Sequence, residues 1–121
     1  MRKIIVHPDH GHPSSIWPSQ ELVSDSSGTY VLPNQIGMSK ALGDALLSWT
    51  SQFQQFFLAE QDDFSARPQW RTGVNPYDWH EEGYRIVNEM RLEFPDVHIN
   101  PEFGQYVFSV NERRENMGLP P

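Results

Sequence analysis

From Met38 onward, Met38, Leu42, Ala45, Leu46, Trp49, Phe53, Phe56 and Phe57 recur at spacings of three and four, while Lys40, Asp44, Ser48, Gln52 and Gln55 fill much of the opposite side. That period predicts an amphipathic helix. Ser39 suits its N-cap, because a hydroxyl there accepts one of the first-turn amides that lack an intrahelical partner, and the helix is expected to fade near Glu60 to Asp62. A second helix is announced by Asn75, Pro76 and Asp78: a capping side chain, a residue that needs no amide donor, and a charge suited to the positive helix end. Trp79, Gly83, Val87, Met90 and Phe94, widened by Ile86, form its apolar side, and Pro95 stops it.

Strand signals flank the helices. Ile4, Ile5 and Val6 make a β-branched run over residues 3–7 that Pro8 ends. Residues 9–33 carry Gly11, Pro13, Pro18 and Gly28 without a sustained period, which predicts ordered loop or a short hairpin, with residues 28–32 as a second strand. Residues 97–99 and 105–110, joined by a Pro- and Gly-containing link, predict an antiparallel hairpin with Tyr106, Phe108 and Val110 on one face and Gln105, Val107 and Ser109 on the other. Residues 112–121 read as a short polar helix or a frayed tail. Each apolar stripe needs a covering layer, so the order predicts an α+β two-layer sandwich, two helices on a small antiparallel or mixed sheet, in one domain over residues 1–121.

Composition narrows the chemistry. The 121 residues contain no cysteine, which removes thiol nucleophiles, disulfides, iron–sulfur clusters and thiolate zinc sites. Lys and Arg number 9 against 16 Asp and Glu, a net charge of −7. Phosphate neutralisation depends on the basic residues, so this balance argues against nucleic acid and favours a basic protein partner. The apolar run after Arg2 and Lys3 is interrupted by Pro8, Asp9 and His10, too short for a signal peptide or a membrane span; the expected setting is soluble and cytoplasmic, without membrane partners.

His7, Asp9, His10 and His12 are the densest group of candidate metal ligands, of a type suited to zinc or another divalent cation, with Asp62, Asp63 or His80 as a further ligand. Their spacing matches no helical zinc motif, and exposed loop histidines are the competing reading. His80, Glu81 and Glu82 have the residue types for acid–base work, although acids at a helix start also stabilise its positive end with no catalytic role. No Gly-rich phosphate loop and no Gly-x-Ser-x-Gly elbow occurs, so no organic cofactor is implied. Of four tryptophans, Trp49 and Trp79 belong to the helix stripes. Trp17 and Trp70 either seal the core or anchor a partner, and Asp62, Asp63, Glu81 and Glu82 would rim such an anchor at one end of an antiparallel helix pair.

In size, acidity, absence of cysteine, tryptophan content and α+β order, the chain resembles small bacterial immunity proteins that neutralise polymorphic or contact-dependent toxins. The resemblance is one of type and carries over no residue role. Leu42-x6-Trp49-x3-Phe53 and Trp79-His80-Glu81-Glu82-Gly83-x6-Met90-Arg91-Leu92-Glu93 look like segments of other small bacterial proteins. The resemblance implies occlusion of a basic toxin domain without turnover. A metal-dependent hydrolase built on the His/Asp cluster and a structural or regulatory interaction protein are the alternatives, and monomer or homodimer is left open.

Overall fold

Alternation of buried Ile4 and Val6 with the more exposed Lys3 and Ile5 makes the first apolar run a one-sided strand, β1 (Lys3–Val6). The computed structural model describes residues 2–19, 31–58, 67–109, 112–113 and 118. Strand β2 (Ile16–Pro18) pairs antiparallel with β1, setting Val6 opposite Ile16. Strand β3 (His98–Pro101) pairs parallel with the other edge of β1, setting Ile4 opposite Ile99. The sheet is therefore mixed, in the order β2-β1-β3, and Ile4, Val6, Ile16 and Ile99 are all buried.

Helix α1 (Lys40–Phe56) begins where the sequence predicts, with the Ser39 hydroxyl accepting from the Leu42 amide at 3.4 Å. Helix α2 (Pro76–Glu93) also starts as predicted: the Asn75 side chain accepts from the amides of Tyr77 and Asp78. Glu93 at the end of α2 accepts from the Ser39 amide and hydroxyl at the start of α1, which fixes the helices antiparallel and places a carboxylate at a positive helix end. Both helices pack against the sheet to form a small α+β domain, as the stripes require. No helix among the described residues is long and apolar enough to cross a membrane.

Trp49 and Trp79 clasp the helices together. Their rings stack at 4.4 Å, and each indole N–H donates to the other residue's backbone carbonyl, at 2.8 and 3.1 Å. Burial of two large rings thus leaves neither N–H without an acceptor. Gly83 permits the close approach: a Cβ there would lie 2.7 Å from a Trp49 ring carbon and 2.8 Å from Phe103.

Three expectations need correction. The first helix ends at Phe56, short of Glu60, because Phe57 is extended and bridges to Trp70; the Arg71 amide donates to the Phe56 carbonyl at 2.7 Å. Residues 97–109 do not form a hairpin, and Val110 lies outside the described residues. Residues 98–101 find β1 instead, Phe103 turns into the core, and a 3-10 turn (Gly104–Tyr106) with a Phe108 amide to Gly104 carbonyl bond at 3.0 Å replaces the second arm. Val107 and Ser109, assigned to the more polar face, are consequently buried. The second strand is residues 16–18, within the stretch read as loop or hairpin. Val31 and Leu32 belong to no strand, and residues 28–30 lie outside the described residues.

Candidate functional site

The segment from His7 to Ser19 leaves β1 and returns as β2 through a turn in which Ser15 adopts a left-handed conformation, φ 61°. This costs about 1–3 kcal/mol for a non-glycine residue and needs support from its surroundings. His12 supplies it. Its Nδ1 accepts from the amides of Ser14 and Ser15 at 3.3 and 3.1 Å, while the Ser15 hydroxyl meets Thr50 on α1 at 2.7 Å. Burial holds the His12 imidazole below its ordinary pKa, against the opposing pull of the Ile16 backbone and Asp9. Gln54 on α1 ties down the same loop by donating to the carbonyls of Asp9 and His12.

The other candidate ligands have separate tasks. His7 Nδ1 donates to the Glu102 carbonyl at 2.9 Å, and the Tyr106 hydroxyl lies 3.3 Å from its Nε2. Asp9 accepts from the His10 amide at 2.7 Å, and the His10 ring sits 5.1 Å from Phe53. His7, Asp9, His10 and His12 are not brought together as a ligand set: among the described residues no three His, Cys, Asp or Glu side chains are arranged to hold a metal ion. Trp17 is 40% exposed, lies 4.4 Å from the His12 ring and donates to the His7 carbonyl at 2.7 Å.

Trp70 is half-buried. It packs 4.9 Å from Trp79 and 5.3 Å from Phe57, and its N–H donates to the Tyr106 carbonyl at 2.8 Å. Its ring therefore closes the aromatic core at the end of α1. Asp62 and Asp63, expected to rim it, lie outside the described residues. Glu81 is exposed on α2, and Glu82 forms an ion pair with Arg85 one turn on.

The outward face of α2 is more informative. Tyr77, Glu81, Tyr84, Asn88 and Leu92 follow one another at spacings of four, three, four and four, so they lie in one line on the solvent side. Tyr77 is 41%, Tyr84 42% and Leu92 76% exposed. Asp78, Glu82, Arg85 and Glu89 run alongside, and the helix carries five acids against two arginines. Arg67 stands 5.6 Å over the Tyr77 ring.

Between α2 and residues 101–108 lies a groove of about 430 Å³, with His80, Tyr84, Phe108, Glu102, Gln105 and Arg113 among its lining. Phe103 forms its buried floor. His80 meets Tyr84, Phe103 and Phe108 edge-to-face, and burial keeps its imidazole below the ordinary pKa, with Glu81 opposing. Arg67 grips the carboxylate of Glu112 through Nε and a terminal nitrogen at 2.8–3.0 Å. That pairing, aided by the Ser109 amide, pulls the Glu112 pKa down to about 2.

No family model, curated protein or solved structure matches the chain. The arrangement offers two binding features: a tyrosine- and leucine-bearing acidic helix face, and an aromatic groove with an arginine in its wall. The sequence reading missed Tyr77, Tyr84 and Leu92, although their helical spacing is a signal that could have found them. The groove had no such signal, because it depends on residues 101–108 turning back beneath α2 rather than continuing as a strand.

Proposed function

We propose that the protein is a non-catalytic acidic binding module that acts in the cytoplasm by laying the outward face of α2 on a basic protein, most concretely as an immunity protein occluding the basic active surface of a toxin domain. The observation that carries this reading is the exposed line of Tyr77, Tyr84 and Leu92 flanked by Asp78, Glu81 and Glu89. Aromatic and aliphatic anchors supply binding energy once desolvated, and surrounding acids speed encounter with a positive surface and reject negative ones. A net charge of −7 extends the same preference over the molecule. Glu81 and Glu82 keep their role as acidic contacts in this reading, with Glu82 tied to Arg85. The decisive experiment is affinity capture from the native host, followed by assay of the captured protein's activity with and without the module. A basic protein whose toxic activity is suppressed stoichiometrically supports the immunity reading; a basic partner without toxicity supports a regulatory interaction; an acidic partner contradicts the proposed face.

A further inference from the structure

Among the described residues, Nε of Arg113 is buried and has no hydrogen-bond partner. A buried donor of a charged group left in this state costs about 1–3 kcal/mol or more, so its position asks for an acceptor. The adjacent carboxylate does not supply one: Glu112 is taken by Arg67 and the Ser109 amide. Arg113 lines the groove beside α2, whose remaining wall is formed by the rings of Tyr84, His80 and Phe108 over Phe103. These rings meet edge-to-face, at centroid separations of 4.9–5.5 Å.

We propose that this groove binds a small aromatic carboxylate, its carboxylate paired with Arg113 and its ring set against Tyr84 and Phe108. Arginine presents several N–H groups in a planar fork that matches a carboxylate, and half-buried Arg113 brings such a fork to the groove wall, with its buried Nε leaving the guanidinium without a partner on that side. A flat ring suits the aromatic wall by offset or edge-to-face contact. A groove of about 430 Å³ falls within the size range of small-molecule sites. Glu102 is the carboxylate among the lining residues, and its exposed side chain is held by the Asn100 amide at 3.3 Å, on the rim. Its charge opposes an anionic ligand across solvent, which makes it a second, independent probe. This inference does not rest on the partner reading: the groove and the outward line of α2 share Tyr84 and can succeed or fail separately.

The test is a set of two-dimensional NMR titrations of the full chain with benzoate, with benzamide as the neutral isostere, with acetate as the ring-less acid, and with the peptide Gly-Gly-Phe as a polypeptide-borne aromatic carboxylate. Saturable shifts at His80, Tyr84 and Phe108 with benzoate, and far weaker ones with benzamide and acetate, are expected. Arg113→Gln should weaken benzoate binding by at least about tenfold, and Glu102→Gln should tighten it. Thermal unfolding of Arg113→Gln checks that the fold persists; if it does not, Arg113→Lys and Glu102→Gln carry the test through retained charge and removed repulsion. Equal binding of benzamide and benzoate, insensitivity to these substitutions, or no saturable shift with benzoate would overturn the proposal. Tighter binding of Gly-Gly-Phe than of benzoate would overturn the small-molecule assignment in favour of a chain terminus.

Discussion

His12 holds the Ser14 and Ser15 amides on the same nitrogen that would take up a proton, so protonation at Nδ1 breaks both bonds at the turn that positions β2. Its pKa in the folded chain lies below the ordinary 6.5, with burial as the first cause. The unfolded chain then binds the proton more readily. The domain's stability should be intact above pH 6.5 and decline as pH falls through that value towards the folded pKa, and His80 contributes with the same sign. His12→Asn retains an oxygen that can accept the two amides and has nothing to titrate. Chemical denaturation at about pH 7.5 and about pH 5 should show a smaller loss for this variant than for the natural chain; an identical loss would remove His12 from the cause. Gly83 raises the opposite kind of question, since alanine would improve helix propensity by about 1 kcal/mol. The added carbon would meet Trp49 and Phe103 ring atoms below 3 Å, and both rings are buried. Overpacking should win, with Gly83→Ala destabilising the domain by about 1–3 kcal/mol. Combining it with Phe103→Leu should show favourable coupling in a double-mutant cycle, and simple additivity would mean that the clash is relieved elsewhere.

The elements divide according to how local their determinants are. The start of α1 and both ends of α2 were legible, because Ser39, Asn75, Pro76 and Pro95 act within a turn of their own position. The helix stripes were legible for the same reason, and Leu46, Trp49, Phe53, Trp79, Val87 and Met90 are all buried. The end of α1 was not: the apolar period continues through Phe57, but pairing across to Trp70 draws that residue out of the helix. The third strand shows the same limit more strongly, since residues 98–101 satisfy strand propensity equally well beside β1 as beside residues 105–110. Burial of Phe103 decides between them, and that burial requires the gap left by Gly83. The arginine-walled groove follows from this long-range choice and so had no local signature. Two substitutions measure the local and the packed contributions. Asn75→Ala should cost about 1 kcal/mol through loss of the cap to Tyr77 and Asp78. Phe53→Ala, which removes a ring packed against Phe57, Tyr106 and Trp79, should cost about 3–5 kcal/mol in equilibrium unfolding. Comparable small effects would contradict the assignment of Phe53 to the centre of the core.

At the scale of the whole molecule, charge and apolar exposure are arranged so that encounter and residence on a partner should separate experimentally. Glu81 and Glu89 are exposed on α2, away from its core-facing residues, so reversing their charge leaves the packed side untouched. Leu92 is 76% exposed on the same line, and its truncation removes apolar contact without opening a cavity. Trp70 behaves differently from either. Its ring packs on Phe57 and Trp79 and its N–H serves the Tyr106 carbonyl, so Trp70→Ala should lower stability before it alters any interface. Exposed charges act over roughly 8–10 Å at ordinary salt, and their effect on association shrinks as salt rises. The paired substitution Glu81→Lys and Glu89→Lys should therefore slow association with the captured basic partner at low salt, with the difference narrowing at high salt and dissociation little changed. Leu92→Ala should instead speed dissociation, because a desolvated anchor is lost once the complex has formed. Surface plasmon resonance at two salt concentrations, with unfolding curves confirming intact folds, reads both effects on one instrument. If charge reversal leaves association unchanged at low salt and Leu92→Ala leaves dissociation unchanged, the outward face of α2 is not the contact surface, and the exposed ring of Trp17 in β2 becomes the next one to test.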